Sequence, residues 1–163
     1  MTVNTSDRNS TSGDVDRVRA STTPSINERI DREIAARIND YATQPQANIS
    51  YRIAQLEQEW DTERVLEMNA SSLAFIGLIL GVTVNQNWLW LTGIVLPFLF
   101  QHAVQGWCPP LPILRRLGVR TRREIDREKY ALKALRGDFS NIPSPSEADA
   151  VTRAKEALQV VGI

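Results

Sequence analysis

The chain has 163 residues, 42% of them hydrophobic, with nineteen basic and nineteen acidic side chains and no net charge. That is room for one ordinary domain, and the balanced charge offers no basic face of the kind nucleic acid selects. A single cysteine, Cys108, excludes an intrachain disulfide framework and any multi-cysteine metal site.

Residues 1–24 are rich in Ser, Thr, Asn and Asp, lack apolar periodicity and read as a disordered cytosolic tail. They have no apolar core of the kind a secretory signal needs, and their aspartates speak against an organelle transit peptide. Cytosolic amphipathic helices are expected over 25–68. Ser25 and Glu28 stand at the spacing of a capping box, in which the two side chains satisfy reciprocal backbone N–H groups. Ile26, Ile30, Ile34 and Ile38 then draw one apolar stripe, flanked by i,i+4 pairs such as Glu28 and Arg32. Pro45 ends that helix. A second runs from about Ile49, with Ile53, Leu56 and Trp60 on its apolar face, and continues toward Val65 and Leu66. Its acidic polar face suits a partner helix better than an anionic leaflet.

No charged side chain lies within 70–106, a run of 37 residues with one histidine. A hydrocarbon core of about 30 Å needs roughly 20 helical residues, so the run is close to two crossings and a turn. The expected architecture is all-α, with a two-span transmembrane helical hairpin over 69–107. The first span, 69–84, is short at about 24 Å and borrows a turn from 65–68. Asn85, Gln86 and Asn87 make the turn. The second span, 88–107, carries Trp88, Trp90 and Trp107 where interfacial aromatics belong. Arg115, Arg116, Arg120, Arg122 and Arg123 come after it, whereas the outer turn is uncharged. The positive-inside rule then puts both termini in the cytoplasm.

Within the hairpin, Gly77 and Gly81 form a small-residue ridge that Ala70 and Ala74 extend, near Gly93 on the second span. Such a ridge lets helix backbones approach closely, either between two copies in a homodimer or between the two spans of one hairpin. Asn69, Ser71 and Ser72 face Gln101, His102 and Gln105 across the inner third, with Glu67 beside them. This polar cluster reads as an interhelical hydrogen-bond clamp or as a proton or substrate relay with His102 titrating. Pro97 is expected to kink the second span.

Cys108 opens a Cys-Pro-Pro-Leu-Pro segment that reads as a rigid helix-exit elbow; the other reading is a reactive or acylated thiol. Its prolines remove backbone donors that a persulfide cradle would need. The C-terminal residues, 108–163, are read as cytosolic helices. Thr121 and Glu124 cap one with Ile125, Leu132 and Leu135 on its apolar face and Gly137 as its stop. After Pro143 and Pro145 a last helix, 146–161, points Val151, Ala154, Leu158 and Val161 inward. The interleaved charges on these helices read as solvated faces. No phosphate loop, His/Cys metal spacing or Ser/His/Asp set is present, so neither a cofactor nor a catalytic residue is expected.

The stretch 73–118 resembles the two-helix membrane domain of the YgaP-like bacterial inner-membrane family. The likeness is carried by the short first span, by Trp-Leu-Trp-Leu-Thr-Gly from Trp88 to Gly93, and by Gly106-Trp107-Cys108-Pro109 with Leu117-Gly118-Val119 downstream. It implies a bacterial inner membrane or comparable internal membrane, and self-association. The chain lacks the rhodanese domain of the family's namesake, so catalysis does not carry over, and Cys108 is the one position onto which sulfur handling could. The expected function is that of a non-enzymatic membrane anchor or scaffold, partnered by the lipid bilayer, a second copy or a cytosolic protein. The alternative is a sulfur-handling or small transport component using Cys108 and the cluster around His102.

Overall fold

A computed structural model describes residues 16–140, 142–143 and 149–161, and these are helical with no strand among them. Most of the N-terminal tail, residues 1–15, therefore lies outside the described residues. The remainder, 16–24, is not a featureless tail but carries a helix. Asp16 caps this four-residue element, α1 (Arg17–Ala20), by accepting the Arg19 N–H. So short a helix has no stability of its own; α1 is held by Val18, buried against Leu66, Cys108 and Leu111.

Three longer helices make the head of the molecule: α2 (Pro24–Tyr41), α3 (Gln46–Gln58) and, far downstream, α7 (Arg122–Arg136). The isoleucine stripe of α2 buries Ile30 and Ile34. Ile49, Ile53 and Leu56 of α3 meet Ile125 and Leu132 of α7 in one core. Helix α2 starts at Pro24, after a Thr23 that makes no side-chain cap bond. The Ser25–Glu28 capping box is thus displaced by a proline at the first helical position, where its missing N–H costs nothing. The second amphipathic helix does not run on into the hairpin. Glu59 turns extended, and Asp61 restarts the chain by accepting the Arg64 N–H at 2.8 Å. Trp60 consequently leaves the apolar face and lies exposed under the Arg64 guanidinium, 4.3 Å from its ring centre.

The apolar hairpin consists of α4 (Thr62–Thr83), a 3-10 turn (Gln86–Trp88) and α5 (Leu89–Gln105). Asn85 caps the turn through the Asn87 N–H at 2.8 Å. With 22 residues α4 is about 33 Å long, and with 17 residues α5 is about 25 Å. The stretch Gln46–Thr83, which takes in α3 and α4 with the break at Glu59, is the one long and apolar enough among the described residues to cross a membrane, and only 22% of its apolar window is buried. A core helix of a soluble protein would be mostly buried. Helix α5 continues unbroken through Pro97 and ends at Gly106, which adopts a left-handed conformation with φ 72°.

The Pro109–Pro112 elbow contains a further helix that the sequence reading lacked, α6 (Leu111–Arg116). Helix α7 has the expected capping box of Thr121 and Glu124 and ends at Gly137 with φ 88°. Leu135, placed on its apolar face by spacing, is exposed. The last helix, α8 (Ala150–Val161), also departs from expectation: Val151 and Leu158 are exposed rather than turned inward.

Candidate functional site

The small-residue ridge seats the second helix of the same hairpin. A Cβ on Gly77 would lie 2.7 Å from Thr92 Oγ1 and 3.1 Å from the Thr92 nitrogen, and one on Gly81 would lie 2.5 Å from Leu89 Cδ2. The Thr92 hydroxyl donates to the Ala74 carbonyl at 2.9 Å, and Ala70 is half-buried at the end of the ridge. Gly93 does not belong to the seam, since nothing lies within 4 Å of a Cβ built there. We expect Gly77→Leu to pry the hairpin apart and cost about 1–3 kcal/mol, read as a lower thermal midpoint in detergent. An unchanged midpoint would show that the helices are not seated on this ridge.

The polar cluster anticipated across the hairpin does not assemble. Asn69, Ser71, Ser72 and Gln105 are exposed. Ser71 donates to the Met68 carbonyl at 3.2 Å, and the Gln101 amide donates to Gln105 at 3.4 Å within α5. Gln101 and Gln105 share one face of α5, but His102 lies about 100° around the helix from Gln101. It is buried, and its Nδ1 has no hydrogen-bond partner among the described residues.

His102 instead lines a cleft of about 540 Å³ where the hairpin meets the head. Glu63 and Glu67 contribute from α4, and Leu99 and Ala103 from α5. Asp16 and Arg17 border it at α1, and Thr121, Arg122 and Arg123 at the start of α7. Glu67 is the one expected neighbour that shares the cavity with His102. Arg17 donates to the Ala103 and Val104 carbonyls at 2.8 and 3.2 Å, satisfying groups that the end of α5 leaves orphaned. Loss of water around the Glu63 carboxyl, and then the charges of Asp61, Asp16 and Glu67, hold it above the usual carboxylate range.

Cys108 is buried, and that burial pushes its thiol up despite a hydrogen bond from the Leu111 N–H. Since the thiolate is the nucleophile, a raised and buried thiol is a poor one. Maleimide labelling of the native protein at neutral pH should be far slower than after denaturation. Equal rates would reinstate a reactive Cys108.

Not all the charges of α7 are solvated. Glu124 and Glu128 are fully buried in the same stripe as Ile125 and Leu132. Arg115, also fully buried, grips both Glu124 oxygens at 2.7 Å, and Arg19 adds a third contact. Arg115 further donates to Asn27 at 2.9 Å and to the Val119 carbonyl at 3.0 Å. Glu128 gathers Arg37 at 3.1 Å, Arg52 at 2.9 Å and Arg120, which also forks onto Glu59. Burial alone would raise both carboxyls, but the arginine hydrogen bonds hold Glu124 and Glu128 below the ordinary range. Sequence reading missed this network, although Thr121, Glu124, Ile125, Glu128 and Leu132 fall at helical spacing and carried a signal.

No group of His, Cys, Asp and Glu fit to hold a metal ion occurs among the described residues. No protein-family model, curated protein or solved structure matches the chain.

Proposed function

We propose that the chain is a non-enzymatic membrane anchor, in which α4 and α5 cross the bilayer as a hairpin and hold the ion-paired head at its cytoplasmic face. The observation that carries this reading is the outward surface of the hairpin. Phe75, Val82, Trp90 and Phe100 are each at least 65% exposed, in a segment of 37 residues without charge. A soluble monomer rarely leaves so continuous an apolar surface to water. Residues 62–66 lengthen α4 beyond the short first span, and tilt accommodates the difference in length between the two helices.

Arg116, Arg122 and Arg123 remain exposed next to the hairpin and support the cytoplasmic orientation; Arg115 and Arg120 are consumed by carboxylates. Membership of the YgaP-like family and an internal bacterial membrane are part of the same proposal. The exposed Val151 and Leu158 of α8 support a scaffold role toward another protein. Self-association would use the outer faces of the hairpin, because the glycine ridge is already occupied within the chain. The burial of Cys108 speaks against sulfur handling. Alkaline carbonate should leave the chain in the membrane pellet, whereas release into the supernatant would end the membrane reading. Crosslinking in native membranes should recover a second copy or a reproducible partner; recovery of neither would end the scaffold reading.

A further inference from the structure

Helix α6 buries one face and leaves the opposite face bare. Leu111 and Arg115, four residues apart, are fully buried. Ile113 is 61% exposed and Leu117 75% exposed, and the Leu117 N–H donates to the Ile113 carbonyl at 3.0 Å, so the two lie one turn apart on a single face. At 3.6 residues per turn that face is nearly opposite Leu111 and Arg115. Arg115 donates to Asn27 of α2 at 2.9 Å and grips Glu124 of α7, and Arg29 of α2 donates to the Arg116 carbonyl at 3.0 Å. Ile113 and Leu117 therefore point away from the head. Leu111 packs with Leu66, one helical turn, about 6 Å, before the uncharged run begins at Ala70. The headgroup layer is roughly 5–7 Å deep on each side of the hydrocarbon core, so α6 stands at its level when the hairpin spans.

We propose that α6 is an interfacial docking helix whose partner is the lipid surface of the cytoplasmic leaflet, with Ile113 and Leu117 in the acyl boundary and Arg116 at a lipid phosphate. The proposal rests on the hairpin crossing a bilayer. Arg116 is exposed on the flank of the same face, where a long side chain lays its stem along apolar surface and keeps its cation among the headgroups. Of the carboxylates at this end of the hairpin, Glu63 and Glu67 line the His102 cleft with Asp16 and Arg17, and Glu124 is held by Arg115 and Arg19. These three are turned to other surfaces. Two aliphatic side chains on a six-residue helix offer far less than the roughly 800 Å² that each side of a stable protein interface buries. A lipid surface is the occupant that fits.

Spin labels on Ile113→Cys and on Leu117→Cys, each made with Cys108→Ala in the full-length chain, report depth in vesicles of phosphatidylcholine and phosphatidylglycerol through their access to oxygen and to a nickel chelate. Labels at Phe75→Cys on the hairpin and Tyr51→Cys on α3, both exposed, give the acyl and aqueous references. Unchanged circular dichroism confirms the fold, and either α6 position suffices. The α6 labels should lie about 5–10 Å into the headgroup–acyl boundary, and Arg116→Gln should lift them toward water. No lift overturns the phosphate contact. An α6 label as open to the nickel chelate as Tyr51, while Phe75 reads acyl chains, overturns the docking helix alone. A Phe75 label that reads water overturns the membrane reading and the docking helix together. An α6 label closed to both reagents means that protein covers the face, and overturns lipid as its occupant.

Discussion

Glu124→Ala should strongly destabilise the head. Arg115 would be left fully buried with only neutral partners, and breaking one side of a buried ion pair costs about 3–5 kcal/mol. Against a usual total of roughly 5–15 kcal/mol, that is a large share. Chemical denaturation monitored by circular dichroism should show the midpoint fall sharply. The double replacement Glu124→Leu with Arg115→Met should recover much of the loss, since well-packed apolar side chains can take the place of a buried ion pair. If the single variant matched the wild type, the ion pair would not be a structural element.

The same pair sets the response to acid. The folded Glu124 and Glu128 carboxyls sit below their unfolded values. Their contribution is therefore fully present above the ordinary glutamate pKa of about 4.3 and fades as pH falls through the lower folded values. Stability should be flat near neutrality and decline below about pH 4. A chain equally stable at pH 3 and pH 7 would contradict the shift.

Gly106→Ala should detach α1. At φ 72° any side chain is strained, and here a Cβ would lie 2.4 Å from Arg17 Cβ and 2.8 Å from the Arg17 carbonyl carbon. Backbone cannot swing aside as a flexible side chain does. The left-handed conformation costs about 1–2 kcal/mol and overpacking about 1–3 kcal/mol more. Release of α1 would uncover Cys108, which shares its core with Val18, so maleimide labelling should accelerate many-fold. Unchanged labelling would mean that α1 does not shield the thiol.

The elements that the sequence disclosed are those governed by near neighbours. The α2 isoleucine stripe, the Ile49, Ile53 and Leu56 face of α3, the Asn85–Asn87 turn and the Thr121–Gly137 caps all arise from spacings of a few residues. Helix α1 was not legible, because four residues have no helical preference of their own and the partners that bury it, Leu66, Cys108 and Leu111, lie 48 or more positions from Val18. Glu124 and Glu128 were read as solvated because interleaved charges usually are. What buries them is the convergence of Arg19, Arg37, Arg52, Arg115 and Arg120 from separate parts of the chain. The site around His102 was half legible. The spacing indicated Glu67, but grouping His102 with Gln101 ignored the turn of about 100° between adjacent helical residues.

The anchoring of α1 also imposes an order of assembly. Arg17 bonds to carbonyls 86 and 87 positions later, and Arg19 and Asp16 bond to Glu124 and Thr121, each 105 positions later. Helix α1 must therefore wait until the hairpin and the first turn of α7 have been made. Such distant contacts form slowly, because closing the loop is paid before the contact returns anything. The head can accordingly close only after α7 has been made, since Glu124 and Glu128 supply the carboxylates for arginines up to 105 positions upstream.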